Sequence, residues 1–342
     1  MATPQSKTRK TSICFFIPSR FRELIFTEEE GKRMAFSPNP LSIRRAVVVG
    51  GTSGIGEGIA KRLAKEQLAV TIVGRSATRG QEITKELHDL GGSNHEFIQC
   101  DAFQMRNVVE VSKQIKEKYG QDLHYLVLTQ GMATIQGRTE TSEGLDQKLA
   151  LHYFGRMCFV RELLPVMLSN TSTNGPETGV STKVIMSVLS GGVHGPYDSC
   201  KNDFELKSQY TLGNAANAAG YYNDLYLDKL GEQQGGKPVA FYHAAPGMVR
   251  TNWGTEMPWY IKYPIRFMQS YLPFFKTQEQ CAELLCRPLF EVDRVVGDSK
   301  NKFVVINEDG SVGKKTSQHS QEEVDFVFEK TNELLDSILG RK

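Results

Sequence analysis

The chain carries no CxxC pair and no histidine or cysteine group at zinc-module spacing. Its six cysteines (positions 14, 100, 158, 200, 281 and 286) are scattered through 342 residues. A chain of this length does not need disulfide staples, so reduced, intracellular thiols are expected. Charge bias is missing too. Lys plus Arg number 41 against 39 for Asp plus Glu, which argues against a field that would hold the protein on nucleic acid or an anionic membrane and favours small-molecule partners. No apolar run is long enough to span a bilayer. Repeats and long low-complexity tracts are absent, and the balance of apolar and charged residues is that of a globular chain.

The first forty residues stand apart. "MATPQSKTRKTSICFFIPSRFRELIF" has five basic residues before its first acid, Glu23, around the short apolar run Ile13–Ile17. Such a leader suits a disordered tail, an organelle-targeting peptide or an interfacial anchor. Met34 would also make a plausible start for the folded part. Residues 1–40 are therefore expected to be an extension, disordered or targeting, on a cytoplasmic protein.

From residue 44 the pattern is an alternation of apolar strands and amphipathic helices. "AVVV" (46–49) reads as a buried strand, and "GIGEGIAKRLAKEQL" places Ile55, Ile59, Leu63 and Ala64 on one helical face. Further strands are read at 69–73, 97–100, 123–128, 183–189, 239–244 and 303–307, with helices between. Strand–helix alternation implies a parallel sheet covered on both faces. The fold class expected is α/β, a doubly wound Rossmann sheet of about seven strands, with ligands beyond the strands' carboxyl ends. A single catalytic domain is placed at 41–320, with a C-terminal helix at 321–342.

"GGTSGIG" directly follows the first strand and opens the first helix. Gly50, Gly54 and Gly56, with Thr52, Ser53 and Ile55 between them, let backbone approach a pyrophosphate while the helix amino end supplies N–H groups and partial positive charge. In this strand–turn–helix setting the motif resembles that of short-chain dehydrogenases/reductases, although that family usually begins it with Thr where Val49 stands. The likeness runs over about residues 44–310. The second strand ends in Gly74 and Arg75 rather than an acid, which favours a 2′-phosphate and hence NADP(H), with Ser76 and Arg79 as helpers; a solvated surface arginine is the other reading. Asp101 resembles the family residue that bonds the adenine amino group, or caps the next helix. Gly131 is what remains of the family's Asn-Asn-Ala-Gly turn, here "LTQG". Pro246, Gly247, Val249 and Thr251 resemble the PGxVxT loop that holds the nicotinamide carboxamide.

The resemblance implies hydride transfer assisted by a Tyr acid, a Lys four residues on, a Ser that polarises the carbonyl and an Asn that holds a relay water. Ser190 matches the family serine, with Ser187 as the alternative. Two tyrosines compete. Tyr197 has Lys201 at the YxxxK spacing but lies in a loop; Tyr210 opens the Ala-rich helix "YTLGNAANAAGYYNDLYLDKLGEQ", and is preferred. Asn214 then takes the lysine's place, one turn on and on the same face, where it can bond a ribose hydroxyl but carries no charge. Lys201 or Lys207 is the lysine that would lend a cation. His152 falls where the family has its helix Asn; it could bond water and titrate near neutrality, or be structural.

Aromatic residues Trp259, Tyr260, Tyr263, Phe267, Tyr271, Phe274 and Phe275 crowd a segment read as a substrate lid over 254–290, although core packing or membrane contact would use them equally. The branch looks similar to retinol-dehydrogenase-like enzymes and secondary-metabolite reductases. The expectation is an NADP(H)-dependent carbonyl reductase or alcohol dehydrogenase acting on a bulky apolar lipid, terpenoid or polyketide; the Ala/Gly-rich helix resembles the family's dimer-forming helix, which implies a homodimer, but would also pack intramolecularly. The competing class is a catalytically weak NADP(H)-binding sensor or scaffold. No metal is expected.

Overall fold

The computed structural model describes residues 44–169, 182–234, 238–251, 260, 263–264, 275–297 and 299–341. Among them are seven strands: β1 (Arg45–Val49), β2 (Ala69–Gly74), β3 (Glu96–Gln99), β4 (Leu123–Leu128), β5 (Lys183–Val188), β6 (Val239–Ala244) and β7 (Phe303–Ile306). They form one sheet in the order β3-β2-β1-β4-β5-β6-β7, every pairing parallel. All seven strands read from the sequence are present, with ends shifted by a residue or so.

The helices are α1 (Gly54–Lys65), α2 (Ala77–Leu90), α3 (Met105–Tyr119), α4 (Gly155–Leu168), α5 (Leu212–Gln233), α6 (Gln278–Phe290), α7 (Val292–Val296) and α8 (Gln321–Leu339). A short turn, Gln147–Leu149, and a π-helical turn, Ala150–Phe154, lead into α4. None of the described helices is long and apolar enough to cross a membrane.

Strand residues alternate between two cores, as the pleat requires. In β1, Val47 and Val49 join the cluster under α3, α4, α5 and α8, whereas Ala46 and Val48 join the one under α1, α2 and α6. Both faces are covered, which explains why the strands read as unbroken apolar runs; each fully buried Val or Leu contributes roughly 1.5–3 kcal/mol. α8 docks on this first layer through polar bonds. Tyr153 Oη meets Thr331 Oγ1 at 2.5 Å, Tyr226 Oη donates to Asn332 at 3.1 Å, and Arg161 pairs with Asp336 at 2.9 Å.

Only Tyr260, Tyr263 and Phe275 of the seven aromatics read as a lid fall within the described residues; Trp259, Phe267, Tyr271 and Phe274 lie outside them. The second half of the segment is not a lid. α6 begins with a capping box formed by Thr277 and Gln280, then buries Cys281, Ala282, Leu285 and Leu289 against α1. Gly58 permits this approach, since a methyl there would lie 2.7 Å from the Gln278 carbonyl.

Candidate active site

The strand order reverses between β1 and β4, and the crevice opens there. Gly50 N–H donates to Val73 O at 2.8 Å, and Thr129 donates through both its amide and its hydroxyl to Val49 O, at 2.9 and 2.8 Å. These bonds pull three strand ends into a space with no room for side chains. Gly50 has φ +83°, and a methyl on it would sit 2.6 Å from Thr129 Oγ1 and 2.7 Å from Gln130 N. A methyl on Gly56 would strike the Gly50 carbonyl and the same hydroxyl. Ser53 is extended and supplies no side-chain cap, so the first amides of α1 remain available to an anion.

A second loop joins this one. A methyl on Gly54 would come within 3.5 Å of Thr251 Cγ2, which brings the end of the Pro246, Gly247, Val249, Thr251 loop to the amino end of α1. Val249 bridges to Lys276, and Cys281 Sγ reaches the Pro246 carbonyl at 3.8 Å. The two segments expected to hold a dinucleotide thus converge from opposite ends of the chain.

At the end of β2, Thr52 packs on Gly74 and leaves no room for a Cβ there. Arg75 is exposed and stands 5.5 Å from the Phe103 ring. Ser76 caps α2 by accepting from Arg79 N at 3.3 Å. Arg79 itself pairs with Glu57, Glu82 and Glu86, a commitment that removes it as a helper. Asp101 closes a turn through Phe103 N at 3.2 Å.

Beyond β4, His152 Nε2 accepts the Met132 amide at 3.0 Å, and a methyl on Gly131 would press on the same atom at 3.0 Å. Burial, with Arg156 adding to it, pushes the imidazole down to about 3. This corrects the expectation that His152 titrates near neutrality. It is a neutral backbone acceptor, because desolvation penalises a charge on its ring and the nearby cations Arg156 and Lys148 add to that penalty. Arg156, fully buried, donates to Gln130 O at 2.6 Å, Ser187 Oγ at 2.8 Å and Val188 O at 2.9 Å. It clamps the carboxyl ends of β4 and β5 together. Burial lowers its pKa to about 9, yet its carbonyl and hydroxyl acceptors keep the guanidinium protonated.

Ser187 also donates to Asn223 Oδ1 at 2.7 Å, so that hydroxyl is structural. Ser190 differs: its Oγ is buried and has no hydrogen-bond partner among the described residues. It faces α5 at Gly220, where a methyl would lie 2.5 Å from Ser190 Oγ and 2.6 Å from His194.

Tyr210 has the same unsatisfied character, its Oη being buried without a hydrogen-bond partner. It does not open the helix, however. Thr211 is extended and caps α5, accepting from Asn214 N at 2.9 Å, and the helix starts at Leu212. Tyr210 lies outside the first turn, so the relation expected of Tyr210 and Asn214 on one helical face is corrected. Asn214 instead donates from Nδ2 to Gln209 O at 2.7 Å. Burial, then Asp146, pushes the Tyr210 phenol up to about 12. The cation over its ring is Lys148, 5.3 Å from the centroid, and neither Lys201 nor Lys207, which pair with Glu322 and Glu205. Ser190 faces α5 at Gly220, eight residues beyond the helix start and about 12 Å along its axis.

Tyr197 and Lys201 form no dyad. The Tyr197 phenol is buried and donates to Asp203 O at 3.4 Å, with its pKa raised to about 12 by burial and Asp203, while the Lys201 amine lies with Glu322.

Behind Ser190 sits a buried ionic group that spacing in the sequence did not disclose. His243 Nε2 accepts the Ser190 amide at 3.2 Å, and its Nδ1 donates to Asp224 Oδ1 at 2.5 Å. His194 Nε2 lies 3.0 Å from Asp224 Oδ2. Burial alone would raise Asp224, but the imidazoles of His243, His194 and His319 outweigh it and hold the carboxyl well below its usual range. The signal in the sequence was Asp224 and Asp228, two acids one turn apart in the middle of a helix whose neighbouring positions are largely apolar and aromatic.

With this geometry in place, three comparisons place the chain. The model of the short chain dehydrogenase family matches residues 44–177. The oxidoreductase AN1596 of Emericella nidulans is 32% identical over 237 residues, covering 68% of this chain and 66% of that one, just under two thirds of its length. A polyprenol dehydrogenase of Mus musculus is 26% identical over 241 residues, covering 69% of this chain and 68% of that one. A metagenomic short-chain oxidoreductase solved in complex with NADP shares the fold at a TM-score of 0.54 and 17% identity, over 78% of this chain and 98% of that one. The chain belongs to the short-chain dehydrogenase/reductase family.

Proposed function

We propose that the protein is an NADP(H)-dependent oxidoreductase that moves a hydride between nicotinamide and the carbonyl or alcohol of a bulky apolar small molecule. The observation that carries this reading is the convergence of the Gly50–Gly56 loop with Thr251 at the uncapped amino end of α1. Pyrophosphate would lie on the α1 amides, and Arg75 would meet the 2′-phosphate. NADP(H) supplies the hydride; the chain's own residues position the substrate and handle the proton. Ser190, whose buried hydroxyl has no hydrogen-bond partner among the described residues, would polarise the substrate oxygen, and Tyr210 would give or take the proton. Lys148 over the ring and Arg138, whose charge opposes part of the rise in its pKa, are the cations near that phenol. Exposed Val193, Met248, Tyr260 and Tyr263 and the polyprenol dehydrogenase relative support an apolar substrate.

A second reading, a catalytically weak NADP(H) binder, draws on the position of Tyr210 outside the first turn of α5 and on the engagement of Asn214 with Gln209. Fluorescence titration with NADPH and NADH, followed by an NADPH-consumption screen over apolar ketones, separates the two. Tyr210→Phe should cut turnover by about 10²-fold or more with unchanged NADPH affinity. Because the substitution also removes an unpaired buried hydroxyl, the folded protein should be no less stable. Full turnover in Tyr210→Phe would reject the assignment. Arg75→Glu should weaken NADPH selectively, and equal loss for both nucleotides would remove Arg75 from the 2′-phosphate.

A further inference from the structure

We propose that His243 and Asp224 are positioning residues for the reaction, fixing the backbone of Ser190 so that its hydroxyl stays free for the substrate oxygen, an inference that rests on the role proposed for Ser190. Each polar group of that serine but one is committed. Its carbonyl accepts the amides of Val193 and His194, at 3.0 and 3.2 Å. Its amide donates to His243 Nε2 at 3.2 Å. The hydroxyl alone is uncommitted, buried and without a hydrogen-bond partner among the described residues.

The ladder between β5 and β6 runs on past both strands. Leu189 N–H donates to Ala244 O at 2.9 Å, and a methyl on Gly191 would sit 2.1 Å from the His243 carbonyl. Ser190, between those two residues, finds its acceptor in a side chain instead. His243 lies opposite Ser187 in the strand register, and its ring reaches both the Ser190 amide and Asp224 on α5.

An imidazole accepts an amide only through an unprotonated nitrogen. Burial lowers the His243 pKa and outweighs Asp224, which opposes it, so the ring is neutral and carries one proton. Asp224 decides where that proton sits. Its Oδ1, 2.5 Å from His243 Nδ1, belongs to an ionised carboxylate, which only accepts. The proton is therefore on Nδ1, and Nε2 keeps the lone pair that Ser190 uses. His194 Nε2 meets the other carboxylate oxygen at 3.0 Å, and His319, bonded to Asp228 at 2.6 Å, approaches it at 3.6 Å; these contacts leave Oδ1 to His243. A misplacement of about 1 Å at a reacting group costs on the order of 10²-fold in rate, so cutting this chain of bonds should lower turnover while the glycine loop still binds NADPH.

The first test locates the proton. The chain has seven histidines, few enough for 15N-histidine labelling to resolve the rings by NMR, and the signal missing from His243→Gln identifies His243. Nδ1 should be protonated and Nε2 bare; a proton on Nε2 would overturn the proposal without any substrate in hand. Turnover of an apolar ketone found by the NADPH-consumption screen then separates positioning from stability. His243→Asn keeps a donor for Asp224 but ends short of Ser190, and should lower kcat at least about 10-fold with KM for NADPH within about twofold. His243→Gln, long enough to offer both a donor and an acceptor, should recover most of that loss. In a Ser190→Ala background, His243→Asn should lower kcat by less than about twofold more, because both substitutions disable one group. Circular dichroism and NADPH titration check that each variant folds. Full kcat in His243→Asn, or a loss that multiplies with that of Ser190→Ala, would show that the pair only cements α5 to β6; the proposal would fall and the role of Ser190 would stand. Full turnover in Ser190→Ala alone would remove Ser190 from the reaction and this proposal with it.

Discussion

Between β1 and α1 the chain is packed so tightly that side chains are excluded, whereas between β5 and α5 side chains supply almost everything. Gly50 and Gly56 leave no space for a methyl beside Thr129 and the neighbouring backbone. Across the cleft stand two unsatisfied hydroxyls, Ser190 and Tyr210, and a buried group of imidazoles and carboxylates. A site made of backbone amides permits little substitution, because its shape is its chemistry. A site made of side chains can be rebuilt from other residues, and that is where this chain departs from the pattern it resembles.

The largest effect expected follows from the first wall. Gly56→Ala would force the backbone of the loop to move, since neither the Gly50 carbonyl nor the Thr129 hydroxyl that anchors it can retreat. NADPH affinity should fall at least about 100-fold, or roughly 2.8 kcal/mol, measured by fluorescence titration. Affinity within a few-fold of the parent would show that this wall is pliable, and the contrast between the two sides would break.

Arg156→Met tests how the second wall is held. The substitution keeps the volume but leaves the Gln130 and Val188 carbonyls and the Ser187 hydroxyl without their donor. Buried acceptors stripped of a partner cost about 2–3 kcal/mol together, readable as a shift in the urea midpoint with an unchanged slope. Turnover should fall further than NADPH affinity, because the clamp supports the carboxyl ends of β4 and β5 rather than the glycine loop. An unchanged midpoint would mean that the strand ends are fixed by packing alone.

The same division explains what could be read before any coordinates. The inner strands were legible because burial on both faces leaves apolar runs, as in β1 and β2, and the glycine loop was legible because close backbone approach demands a residue without a Cβ. The Tyr210 side was not. Spacing suggested a helix from Tyr210 through Asn214, but Thr211 is the cap and the helix starts two residues later, at Leu212, which turns Tyr210 off the face it was expected to share. Arg156 and Lys148 carry no spacing signature, since their partners are backbone carbonyls and a ring far away in sequence. The imidazole cluster draws on His194, Asp224, His243 and His319, on four separate segments, and only the sheet brings them together.

The smallest effect expected separates a structural imidazole from a catalytic one. His152 accepts the Met132 amide and remains neutral, its pKa pushed down to about 3 by burial and by Arg156, against about 6.5 in the unfolded chain. A histidine depressed on folding contributes full stability above its unfolded pKa and loses it as pH falls toward the folded value, because the unfolded chain binds the proton first. Between neutrality and about pH 5 this site alone should remove about 1–2 kcal/mol. The residue is half-buried rather than buried, which favours the lower end of that range. His152→Gln retains an acceptor for Met132 but cannot titrate, so its urea stability should fall less steeply over the same interval. Its pH profile for turnover should match the parent's. Parallel acid limbs in the two proteins would show that His152 is protonated in the folded state, and a turnover profile altered by the substitution would return the residue to the proton pathway.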